Sequence, residues 1–111
     1  MDFTVSTIPG DVAVLRLSGK LNMVSASALR DAITSLLEAG QRRLVADLAD
    51  VPFMDSSGLG ALIAGLKSAR QAGGDLRIAS VGEQIRMVLQ LTNMERVLTP
   101  YDRPEEAYSN G

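Results

Sequence analysis

Asp55, Ser56, Ser57, Gly58 and Gly60 stand together in the stretch PFMDSSGLGAL, residues 52–62, just where an apolar run begins. Their types and spacing admit four readings. The first is structural: Asp55 or Ser56 can accept a hydrogen bond from a backbone N–H two or three residues on, capping a helix and stabilising it by about 1 kcal/mol. The second is a nucleophilic serine. That chemistry needs a base beside the hydroxyl, and the chain contains no His, so a Ser-His-Asp triad is excluded. Lys67 lies ten residues along the expected helix from Ser57, about 15 Å at 1.5 Å per residue, too far to take its proton. The G-x-S-x-G spacing of a nucleophile elbow is absent too. The third reading is a phosphate-binding loop, but DSSGLG lacks the lysine of G-x-x-x-x-G-K-[ST]. In the fourth, the serine receives a phosphate from another protein: at a helix start a phosphoserine is held by backbone N–H groups and projects close to two negative charges outward.

The elements around this stretch follow from periodicity. Phe3 and Val5, then Val12 and Val14, alternate on either side of the turn signal Pro9-Gly10-Asp11, predicting two strands, the second running to Gly19. From Ser25, the spacing of Leu29, Ala32, Ile33, Leu36 and Leu37 predicts a helix that stops at Gly40. RLVADLADV reads as a buried strand ended by Pro52. Leu59, Leu62, Ile63, Leu66 and Ala69 predict the helix that the motif opens, closing near Gly73-Gly74. DLRIAS is a further strand, Ile85, Val88 and Leu89 a third helix, RVLTPY a last strand, and RPEEAY a final helix with Pro104 in its first turn. The order β-β-α-β-α-β-α-β-α implies an α/β fold with a mixed, mostly parallel sheet of about five strands and about four helices. One domain over residues 1–111 is expected, with 109–111 fraying. On the helix after the motif, Ser57, Ala61 and Gly65, flanked by Gly60, Ala64 and Ser68, form a stripe of small residues. It fits either close packing against the chain's own elements or a flat surface for a partner.

Composition narrows the function classes. With 46% hydrophobic and 22% charged residues in 111, the chain has the make-up of a folded globular protein. Aromatic residues amount to only 4%, which argues against base-stacking platforms, and 13 acids against 11 scattered bases leave no phosphate-backbone footprint, so direct nucleic-acid binding is not expected. The absence of Cys removes thiolate chemistry, disulfides and zinc–cysteine sites. No cofactor or metal is called for. The N-terminal stretch has neither a basic nor an apolar signal region, and the apolar run from Val51 to Leu66 is broken by Pro52 and Asp55, so neither secretion nor membrane insertion is expected. The methionines are irregularly spaced and read as core filler, with Met54 and Met87 the two placed near a docking face.

Three segments carry a family resemblance: GKLN (residues 19–22), VADLADVPFMDSSGLGAL (45–62) and LTNMERVLTPYDRPEEA (91–107). Together they resemble the STAS domain of bacterial anti-sigma factor antagonists along nearly the whole chain, with D-S-S-G-L-G after a buried strand the most specific piece. The resemblance implies a cytoplasmic switch in partner-swapping control of transcription. Its partners would be an anti-sigma factor that is also a serine kinase, and a serine phosphatase. By motif position it makes Ser57 the phosphoacceptor, Ser56 the adjacent hydroxyl and Asp55 the capping or orienting acid, and the protein a substrate rather than an enzyme. The implied partner surface comprises Asn22, Asp55, Ser56, Ser57, Gly58, Gly60, Ala61 and Ala64. Asn22 stands where the family commonly has Asp. As a loop or cap residue the two are close to equivalent, although Asn lacks the charge. The competing function is that of a STAS subunit in a lipid-transport or signalling assembly, docked permanently and never phosphorylated.

Overall fold

The computed structural model describes residues 1–109. Five strands, β1 (Asp2–Ile8), β2 (Val12–Ser18), β3 (Arg43–Asp50), β4 (Asp75–Ala79) and β5 (Pro100–Tyr101), lie side by side in the order of the sequence. β1 pairs antiparallel with β2 through all seven residues, and the chain reverses at Gly10 and Asp11, both with positive φ. The other three pairings are parallel. Each parallel step is bridged by one helix: α1 (Met23–Glu38), α2 (Ser56–Gln71) and α3 (Glu83–Leu91). Three successive crossovers of one hand in a sheet that grows in one direction place all three helices on the same face.

Burial agrees with that arrangement. Alternate residues of the central strands, Leu15, Leu17, Leu44, Ala46, Leu48, Leu76 and Ile78, pack with Leu29 and Ile33 of α1, Leu62 and Leu66 of α2, and Ile85 and Leu89 of α3 in one core. The intervening positions Val12, Val14, Val45 and Ala79 face the other way. They pack against Ala107, Tyr101 and Tyr108, which cover part of the second face. Because both faces of β2 and β3 are buried, these strands read as near-continuous apolar runs. Asp47, buried within β3, has its carboxylate bound by the Arg16 guanidinium at 3.0 Å and by the Ala49 N–H at 3.1 Å.

Several boundaries differ from the periodicity. α1 begins at Met23, two residues before Ser25, because Asn22 is its cap and Ser25 closes the cap from within. β1 extends to Ile8 on its regular ladder with β2. The predicted RVLTPY strand shrinks to Pro100–Tyr101: Asn93 takes a left-handed conformation after α3, a 3-10 turn over Met94–Arg96 follows, and only two residues reach the short β4. The predicted fourth helix is a single 3-10 turn, Pro104–Glu106. So short a segment cannot offset the cost of helix nucleation, and its continuation is tied to the sheet instead: the Tyr108 hydroxyl accepts from Leu44 N–H and lies 2.9 and 3.0 Å from the carbonyl oxygens of Leu44 and Asp75. Among the described residues the α-helix count is therefore three rather than four. Of the tail expected to fray, Ser109 bonds back to the Glu106 carbonyl, and residues 110–111 lie outside the described residues. Among the described residues no helix is long and apolar enough to cross a membrane.

Candidate functional site

The C-terminal ends of β2, β3 and β4 all open on one pole, and the caps of the three helices, Asn22, Asp55 and Gly82, stand there. The pole is a frame built from two loops. Beyond a register shift at the end of β2, Gly19 N–H donates to Asp50 O and Leu21 N–H to Phe53 O, while Asp55 N–H donates to Leu21 O. Residues 21 and 54 thus form an isolated parallel bridge that carries the β2–β3 pairing into the loops. The motif glycine follows from this contact. A Cβ on Gly58 would stand 2.4 Å from the Leu21 carbonyl oxygen, so any side chain there would push the loops apart.

Each loop ends in a helix cap. Asn22 Oδ1 accepts from the N–H groups of Val24 (3.0 Å) and Ser25 (3.3 Å), while Ser25 Oγ accepts from Asn22 N–H and lies 2.8 Å from the Lys20 carbonyl oxygen. An aspartate would offer the same acceptor, which gives Asn22 the cap role in which Asn and Asp are interchangeable. Asp55 Oδ1 accepts from Gly58 N–H at 2.9 Å. That places Ser56 and Ser57 in the first turn of α2, their backbone N–H groups pointing out of the helix start. Ser56 is exposed and Ser57 half-buried, and among the described residues neither hydroxyl has a hydrogen-bond partner.

The stripe of small residues divides in two. Ala61 and Gly65 are buried, and a Cβ on Gly65 would meet Ile33 Cδ1 at 2.4 Å, so this line of α2 is small in order to pack closely against α1. Gly60 and Ala64 are half-exposed and Ser68 exposed. Of the residues expected to face a partner, Asn22, Asp55, Ser56, Ser57, Gly60 and Ala64 therefore reach the surface. Gly58 and Ala61 do not: one admits the neighbouring loop and the other fills the core. Met54 is fully buried as well, whereas Met87 is 53% exposed on α3.

Two features had no signature in the residue pattern. Gln84, in the first turn of α3, clamps the motif loop from its other side: its Oε1 accepts from Met54 N–H at 2.8 Å and its Nε2 donates to Met54 O at 3.0 Å. A lone glutamine in a helix start signals nothing by itself. Around the pole, Met23 and Val24 are 75% and 86% exposed and Phe53 is 39% exposed. Met23 and Val24 follow the Asn22 cap, and Phe53 stands two residues before the Asp55 cap. Among the described residues no cluster of His, Cys, Asp or Glu could hold a metal ion.

Comparison with known proteins agrees with this architecture. The STAS domain family model matches residues 4–107. A Thermotoga maritima protein provisionally described as an anti-sigma factor antagonist is 33% identical over 101 residues, covering 90% of this chain and 89% of the relative. The anti-sigma F factor antagonist of Paenibacillus polymyxa is 31% identical over 100 residues, covering 86% and 83%. The crystal structure of an anti-sigma factor antagonist from Mycobacterium paratuberculosis superposes with a TM-score of 0.84 at 29% identity over 97% of this chain and 91% of its own. A match that runs from within β1 to beyond the last 3-10 turn, on a fold whose motif serines open the second helix, leaves one conclusion: the chain belongs to the STAS domain family, among anti-sigma factor antagonists.

Proposed function

We propose that this protein binds an anti-sigma factor through the pole that carries Asn22, Asp55, Ser56 and Ser57, and so frees a sigma factor for transcription in the cytoplasm. Gly60 and Ala64 extend the contact along α2, and Met23, Val24 and Phe53 supply its apolar part. The anti-sigma factor is itself a serine kinase. It transfers the γ-phosphoryl group of ATP to Ser57 Oγ: the new bond is Oγ–P, the bond broken joins the γ-phosphorus to the oxygen that leaves with ADP, and the hydroxyl proton passes to the kinase. A serine phosphatase hydrolyses the ester and restores binding. This chain contributes the acceptor, and the catalysis belongs to the two partners.

The observation that carries the reading is the state of Ser57. It stands at the surface in the first turn of α2 with a hydroxyl that the fold does not use, because Asp55 already caps the helix. Phosphate can be added there without dismantling the frame, and its charge then enters the contact. A hundredfold loss of affinity requires only about 2.7 kcal/mol, within what a misplaced interfacial charge costs. Calorimetric titration of the anti-sigma partner tests the reading: Ser57→Ala is expected to bind like the parent protein and Ser57→Glu at least tenfold more weakly. Equal affinity for Ser57→Glu would overturn the switch and favour a permanently docked subunit.

A further inference from the structure

The sheet has two edges of very different character. β5 offers two residues, whereas β1 offers seven, Asp2–Ile8, paired with β2 on one side only and with no bulge along the ladder. Exposed edges are normally blunted by lysines, prolines, bulges or short length. β1 has none of these devices, and its one charge, Asp2, stands at its very start. Val5, at its centre, is 55% exposed, and the proposed docking of an anti-sigma factor makes no use of it.

We infer that β1 is a self-association edge, pairing antiparallel with β1 of a second copy of this chain about a two-fold axis at Val5. The occupant follows from the residue pattern. A two-fold axis normal to the sheet keeps each face on its own side, so paired residues must share a face, and only the register centred on Val5 pairs all seven. In that register Val5 meets Val5, Phe3 meets Thr7, Thr4 meets Ser6 and Asp2 meets Ile8. The Val5–Val5, Phe3–Thr7 and Thr4–Ser6 pairs are β-branched, aromatic and hydroxyl pairs of the kind that stabilise strands, while Asp2 and Ile8 meet only at the two ends of the ladder. No like charges oppose each other, since the two Asp2 carboxylates stand at opposite ends, about 20 Å apart at 3.4 Å per residue. The product is one ten-stranded sheet with its helices on a single face. Because β2 of one copy then runs antiparallel to β2 of the other, the two Ser57 poles point in opposite directions and both stay open. A contact of one strand edge is smaller than the roughly 1,200 Å² of a stable specific interface, so the dimer forms at micromolar to millimolar concentration.

Sedimentation velocity over that range provides the test, with hydrogen exchange on the β1 amides read beside it. The parent protein is expected to shift from monomer to dimer as β1 amides gain protection. Val5→Lys and Val5→Glu, each at an exposed position, are expected to stay monomeric alone and to form a mixed dimer when combined. A parent protein that remains monomeric at millimolar concentration, or whose dimer forms with no added protection in β1, would overturn the inference. A dimer that survives in Val5→Lys would do so too, by placing the contact elsewhere.

Discussion

Ser57 and Gly58 are neighbours with opposite duties. The serine turns outward and its hydroxyl is spare, whereas the glycine turns inward and is there because the Leu21 carbonyl leaves no room for a side chain. Gly58→Ala puts a Cβ at 2.4 Å from that oxygen, against backbone that two hydrogen bonds hold in place. Such crowding costs about 1–3 kcal/mol, and urea unfolding is expected to register a loss of that order. At Gly60, where a Cβ would meet nothing within 4 Å, an alanine is expected to leave stability the same or slightly higher, as for a helical Gly→Ala change. The two glycines of the motif look alike in the residue pattern and differ only in what lies over them. Asp55 as a cap was legible because capping depends on residue type and local spacing. The burial of Gly58 and Ala61 was not, because it depends on which loop and which helix fold back onto α2.

At the scale of elements, the motif is held by contacts that span the chain. The 19–22 loop bonds to the 53–55 loop, and α3 reaches the same loop through Gln84. Gln84→Leu keeps the bulk and removes both side-chain hydrogen bonds, leaving the Met54 N–H and carbonyl without this partner. Loss of about 1–3 kcal/mol is expected for buried groups so stranded. Faster hydrogen exchange over residues 53–57 is expected with it, while the β1–β2 amides are unchanged. Alternation and helical spacing made most strands and all three α-helices readable. The end of the chain was harder. RVLTPY is apolar enough for a strand, yet the left-handed Asn93 and the short β4 leave room for only Pro100 and Tyr101, and RPEEAY closes a single 3-10 turn that Tyr108 anchors to the sheet. Both outcomes rest on long-range geometry that local periodicity does not encode.

For the molecule as a whole, the helices and the C-terminal segment divide the work of covering the sheet. Tyr108 fastens that segment, with the Arg77 guanidinium 4.3 Å from its ring centroid. Burial, with Asp75 nearby, pushes the phenol up to about 12 from its ordinary value of 10.0. A phenol whose folded value is raised adds stability that is complete below pH 10 and is lost as pH climbs toward 12. Thermal melts are expected to show that decline in the parent protein and a flatter profile in Tyr108→Phe, which should also be less stable at neutral pH by about 1 kcal/mol for the lost hydrogen bonds. This anchor lies at the entry to β3 and β4, the Ser57 pole at their exit, so the variant is expected to bind an anti-sigma partner normally. The claim on which the functional account turns is the modification of Ser57. Intact-mass spectrometry with site localisation, after incubating the protein with an anti-sigma factor of serine-kinase type and ATP beside a Ser57→Ala control, tests it most directly. One phosphate on Ser57, absent from the control and accompanied by release of the partner, is the predicted result. A stable complex with Ser57 unmodified would contradict it.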